Sequence, residues 1–124
     1  MEPSPFKPIA DAIIAHATSG ATSDEPLWAE HYDPGFASVE ADGMTHTGLD
    51  EIREKHKQWY EQHTVHAFGF KSVHFGQTGF GIVWTMDVEA KDGSWPRMEM
   101  DELAIYTVAN GKVVREEFWM PPMG

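Results

Sequence analysis

A chain of 124 residues, 41% apolar and 23% charged, is expected to form a single domain (1–124, core about 8–120) that buries roughly two thirds of its unfolded surface. Its 20 acids against 9 bases give a net charge of −11, which repels phosphate backbones and anionic lipid, so neither nucleic acid nor membrane is an expected partner. The absence of cysteine excludes disulfides, thiolate catalysis and cysteine-type zinc sites, and no apolar run approaches the ~20 residues that span a bilayer.

The opening "MEPSPFKP" lacks the charged start and apolar stretch of a signal peptide, so a cytoplasmic location is expected. "PIADAIIAHA" then has helical spacing, with Ile9, Ala12, Ile13 and His16 on one face and Pro8 suited to a first turn. "TSGATSD" breaks this helix. Asp24 can cap the next one, "EPLWAEHY", which "DPG" at 33–35 ends because Pro34 disfavours helical geometry at Asp33. "FASVEA" (36–41) reads as a short strand and Asp42-Gly43 as a turn.

"GLDEIREKHKQWYEQH" is the clearest helix. Leu49, Ile52, His56, Trp59 and His63 recur every three or four residues, and Glu51, Glu54, Lys55 and Lys57 fall on the wet side. From residue 65 the period becomes two: "VHAFGFKSVHF", "GFGIVWTMDVEA", "RMEMDELAIYTVA" and "KVVREEFWM" are strands divided by glycine-bearing turns. Helices, one strand, a long helix and a four-stranded meander predict an α+β fold with the helices packed on one face of a curved sheet.

In their order and spacing, the corner "HYDPGFASVEADG", the phrase "TGLDEIREKHKQWYEQ" and the ending "YTVANGKVVREEF" resemble the SnoaL-like branch of the nuclear-transport-factor-2-like superfamily. The resemblance spans roughly residues 8 to 120. It implies a conical α+β barrel, with a strongly curved, mainly antiparallel sheet wrapped around three N-terminal helices and an apolar cavity at its open end. Polyketide cyclases, ketosteroid isomerase, scytalone dehydratase and limonene epoxide hydrolase share this frame, often as homodimers through the outer face of the sheet. The frame hosts many chemistries, so function has to be argued from the site. The expectation is a protein that binds a small apolar or polycyclic ligand, either as a cofactor-free isomerase, cyclase or dehydratase or as a non-catalytic ligand-binding or dimeric module.

Candidate acid–base groups are Glu40 and Asp42, with His46 or His63. On a strand Ser38, Glu40 and Asp42 share a face, and a carboxylate in an apolar pocket is raised towards useful basicity. The ketosteroid isomerase-like members place their base in this corner after a "V-E", at the position that Ala41 holds here; the other reading of Asp42-Gly43 is a plain turn. An acid facing the oxygen that gains charge would come from Asp101 or Glu102, on opposite faces of one strand. Counting from Gly111 as in SnoaL-like members turns Met100, Glu102 and Tyr106 inward; counting as in the isomerase turns Asp101 inward. The isomerase's first-helix tyrosine has no counterpart in "DAIIAHA", so its mechanism does not carry over whole.

Imidazole serves as a base near neutral pH, and His63 is preferred for that role, with His56 read as structural. "His63-Thr64-Val65-His66" has ligand-like spacing but straddles a helix end, so no metal is expected. Trp28, Trp59, Trp84, Met100, Tyr106, Phe118 and Trp119 are the candidate ligand contacts, with Trp59 and Trp84 as cavity walls.

Overall fold

The computed structural model describes residues 4–120. Helices α1 (Lys7–Ala17), α2 (Glu25–His31) and α3 (Leu49–Gln62) accompany strands β1 (Tyr32–Val39), β2 (Thr45–Thr47), β3 (His63–Phe75), β4 (Gly79–Ala90), β5 (Met98–Ala109) and β6 (Lys112–Trp119). The strands form one six-stranded sheet in the order β2-β1-β6-β5-β4-β3, with β2 and β3 as free edges. The sheet is therefore curved but unclosed, and it is mixed, because β1 runs parallel to β6 while every other pair is antiparallel.

Alternation along β4 sets the inside of the cone. Phe80, Ile82, Trp84, Met86, Val88 and Ala90 are buried, while the residues between them are only half covered. Ile9, Ala10 and Ile13 of α1, Leu27 and Trp28 of α2 and Ile52 of α3 pack against Tyr32, Phe36, Phe80, Ile82, Trp84, Ala104, Tyr106 and Val113 of the sheet. The buried stripe of α1 includes Ala10 where Ala12 was expected. Register shifts in β3 at Val65/Ala67 and Phe70/Ser72 bend the long edge strand around this core. Gly79 begins β4 pressed against β5, where any Cβ would run into the Tyr106 carbonyl oxygen.

Two local readings are corrected. Asp33-Pro34-Gly35 does not separate helix from strand but lies within β1, where Asp33 Oδ1 accepts from the Gly35 N–H at 2.8 Å and the register against β6 shifts. This bulge at the start of β1 needs no ladder donor from Pro34. Asp24 occupies the N-cap position of α2, yet its side chain makes no cap bond. Its carboxylate is used elsewhere.

Candidate functional site

A half-open cleft of about 1100 Å³ lies between the α1–α2 loop, α3 and β3. Trp28, Trp59, Tyr60 and Phe68 give it aromatic walls, and His16, Asp24 and His56 sit on its surface. At these three residues the Asp24 carboxylate stands between two imidazoles. His16 Nε2 is 3.0 Å from Asp24 Oδ1 and 2.9 Å from the Ser23 carbonyl oxygen. Both partners only accept, so this nitrogen carries the proton. His56 Nδ1 is 3.5 Å from Asp24 Oδ2, and the His56 ring stands perpendicular to Trp28 at 5.0 Å.

A neutral His56 with its proton on Nδ1, towards Asp24, keeps a free lone pair on Nε2. Burial is the main influence holding this imidazole below its ordinary value; Asp24 opposes the shift and the Lys55 charge adds to it. Tyr60, one turn further along α3, is held above its usual value by burial and then by the Asp24 charge, so it remains a hydrogen-bond donor at neutral pH.

A second polar group lies deeper in the cone. Lys55 Nζ donates to Ser38 Oγ at 2.7 Å, lies 3.6 Å from Glu40 Oε1 and sits 5.0 Å from the centre of the Phe118 ring. Tyr32 donates its hydroxyl proton to Glu116 Oε2 at 3.2 Å, and Trp84 Nε1 donates to the Tyr106 hydroxyl at 3.1 Å. Desolvation pushes Glu116 up, opposed by Lys55, Ser38 and Tyr32. It also pushes Glu102 up to about 7, against the attraction of Lys55 and with help from the Glu116 and Glu40 charges.

Because Glu102 is raised from 4.5 to about 7, its stabilising protonated form is fully present below pH 4.5 and lost as pH rises through about 7. Glu102→Gln is expected to gain about 3 kcal/mol over wild type on going from acid to alkaline pH, read from urea unfolding at both ends. Parallel pH profiles for the two proteins would show that Glu102 is solvated instead.

The expected site residues are thus divided. Glu40, His46 and Glu102 gather near Lys55, with His46 Nε2 at 3.8 Å from Glu40 Oε1. The inward face of β5 is the Met100–Glu102–Tyr106 one. Asp101 points outward and pairs with Lys71 at 2.6 Å, so it faces no interior oxygen. Asp42 is a turn residue whose Oδ1 accepts from the Met44 N–H at 2.9 Å. His63 is stacked on Trp59 at 4.5 Å and tilted against Trp95 at 5.5 Å, and its Nδ1 lies 2.8 Å from the Trp59 carbonyl.

None of these six lines the large cleft. Among the aromatics, Trp28 and Trp59 do. Trp84 and Tyr106 are core residues, Phe118 lies under Lys55, Met100 is half-buried, and Trp119, 58% exposed, faces away from the interior. Lys55 is corrected as well: its side chain is 14% exposed and turns inward from the helix face assigned to water. His16, Asp24, Tyr60 and Glu116 were not foreseen. Only the helical spacing of His56 and Tyr60 could have signalled part of this set.

The SnoaL-like domain family matches residues 12–120. The chain belongs to the SnoaL-like family. No curated protein matches it significantly. Among solved structures, a candidate SnoaL-like polyketide cyclase from Mesorhizobium loti is 26% identical and superposes with a TM-score of 0.79, over 94% of this chain and 99% of that one. A second candidate SnoaL-like polyketide cyclase, from Jannaschia sp. CCS1, is 15% identical with a TM-score of 0.76, covering 96% and 90%. A protein with a ketosteroid isomerase-like fold from Catenulispora acidiphila, solved with trimethylamine, is 15% identical with a TM-score of 0.73, covering 92% and 85%. The SnoaL-like fold accords with isomerase- or cyclase-type chemistry or with ligand binding. No helix among the described residues is long and apolar enough to cross a membrane.

Proposed function

We propose that this SnoaL-like domain binds a small, largely apolar ring system in the cleft of about 1100 Å³ and moves a proton to or from its carbon skeleton, as in isomerisation, cyclisation or dehydration. The observation that carries this reading is the Asp24 carboxylate held between His16 and His56 on the cleft wall. Asp24 orients the His56 ring and stabilises the imidazolium formed when Nε2 takes a proton. Tyr60, on the same face of α3, supplies a donor for the oxygen that gains charge. The aromatic walls hold the rings and exclude water from the reacting carbon.

Deuterium exchange tests this without knowledge of the product. An enolisable bicyclic ketone such as tetralone, incubated with the protein in D2O, should lose its α-protons by NMR well above the buffer rate. Since His56 acts as a neutral base and is held below 6.5, the rate should be full at neutral pH and fall on acidification below that value. Binding without exchange would support the second reading, a non-catalytic ligand-binding protein. Absence of binding across a panel of such ketones would sink both.

We also propose that the protein forms a homodimer through the outer face of the sheet. Val83, Leu103 and Trp119 lie in register across β4, β5 and β6, with Ile105 beside them, and the last three expose 36%, 58% and 38% of their surface respectively. Such an apolar stripe is unusual on the surface of a lone acidic domain. Sedimentation velocity should give a dimer for wild type and a monomer for Leu103→Glu; a monomeric wild type would overturn it.

A further inference from the structure

The aromatic walls account for the body of a ligand but leave two charges in the cleft unexplained. Of the nine basic residues, Lys7, Arg53, Lys55, Lys71, Arg97 and Arg115 are ion-paired, and Lys112 donates to the Glu30 carbonyl oxygen. Lys57 and Lys91 alone have ammonium groups with no ion-pair or hydrogen-bond partner among the described residues, and both line the cleft. They reach it from different elements. Lys57 follows His56 on α3, on the stripe that also carries Arg53 and Tyr60. Lys91 begins the β4–β5 loop, where its backbone N–H donates to the Gln62 carbonyl at 2.8 Å and fixes it at the C-terminal end of α3.

The acids of the cleft, Asp24, Glu25 and Glu61, formally balance Arg53, Lys57 and Lys91, but none of the three is paired with either lysine. Asp24 stands between two histidines, and Glu25 accepts from Nε and Nη2 of Arg53, at 2.5 and 3.0 Å. Glu61 is the one cleft acid without an ion-pair or hydrogen-bond partner among the described residues, against two free ammonium groups. In a chain of net charge −11, a formally neutral aromatic cleft with two unpaired ammonium groups repels an anion less than the remaining surface, which carries the whole net charge.

We propose that the cleft takes an aromatic or polycyclic carboxylate, its rings against Trp28, Trp59 and Phe68 and its anionic group held by Lys57 and Lys91. This rests on the cleft being the small-molecule site proposed above. The engaged Arg53 leaves no free guanidinium fork, and a monoanionic carboxylate adds less negative charge than a phosphate to a cleft whose charges are already balanced. The two lysines thus orient the ligand, with the imidazole of His56 beside the uncharged part of the molecule.

Naphthoate and its uncharged amide, naphthamide, form the test pair, titrated against the fluorescence of the cleft tryptophans. At low salt, naphthoate should bind about tenfold more tightly than naphthamide, and added salt should shrink the preference. The Lys57→Gln/Lys91→Gln double variant should bind the two alike. Lys71→Gln, which alters a lysine outside the cleft, should keep the preference. Equal affinities in wild type, or a preference that survives in the double variant, would overturn the inference while leaving the cleft as a ligand site. Binding of neither probe would overturn this inference and weaken the reading beneath it.

Discussion

His56→Ala is expected to slow the exchange of tetralone α-protons by about a hundred- to ten-thousand-fold, with tetralone affinity reduced far less. The imidazole takes the proton, while the aromatic walls provide most of the binding, so rate and affinity should separate. Asp24→Asn is the sharper companion. The amide keeps the shape but offers His56 Nδ1 no full negative charge, so the ring loses its fixed tautomer and its imidazolium loses stabilisation. Its rate should fall by about a hundredfold or more while near-ultraviolet circular dichroism stays unchanged. His16→Gln should cost less, because His16 reaches the ligand's proton only through Asp24. A His56→Ala variant that exchanged protons at the wild-type rate would place the base elsewhere in the cone.

The largest effect on stability is expected at Lys55, a residue that lies outside the lining of the cleft. Lys55→Met removes the one cation near three carboxylates, Glu40, Glu102 and Glu116, of which Glu116 is 5% exposed. Breaking a buried pair from one side leaves an uncompensated charge, worth about 3–5 kcal/mol. The loss should deepen as pH rises. Without Lys55, both Glu102 and Glu116 move further above their ordinary value, so their stabilising protonated forms are lost over a wider span towards alkaline pH. Urea unfolding at acid and alkaline pH measures this. Adding Glu116→Gln to Lys55→Met should restore part of the loss, since the charge left without its partner is then gone. A Lys55→Met protein as stable as wild type at alkaline pH would mean that water, not Lys55, holds these carboxylates.

The elements that were legible in the sequence are those whose pattern is local. The apolar recurrence at Leu49, Ile52, His56 and Trp59 marks α3, and strict alternation marks β4 from Gly79 to Ala90. The site was less legible because its partners are far apart. Nothing local at Asp24 separates a capping aspartate from one that bridges two imidazoles, since both begin a helix at the same position. The stem of Lys55 lets an ammonium on the nominally wet face reach back to Ser38. Glu116 was hidden by a bulge: Thr107 pairs with Arg115 but Val108 with Val113, so the alternation of β6 changes phase at Val114 and both Val113 and Glu116 turn inward. At Asp33-Pro34-Gly35 a strong turn signal was overridden by pairing of β1 with β6 on either side of it.

That parallel pairing has a kinetic consequence. The strands β3 to β6 join neighbours through short turns, so their contacts can form while the chain is still collapsing. The bond from Tyr32 to Glu116, by contrast, closes a loop of 84 residues, and ordering the ends of such a loop costs about 4 kcal/mol before any contact offsets it. Docking of β1 on β6 therefore comes late, as the step of highest contact order. Until it occurs, Ser38 and Glu116 do not meet, and Lys55 has only part of its shell. A partly folded chain carries a formed meander with an unneutralised interior, which makes the last strand to dock the one that commits the molecule.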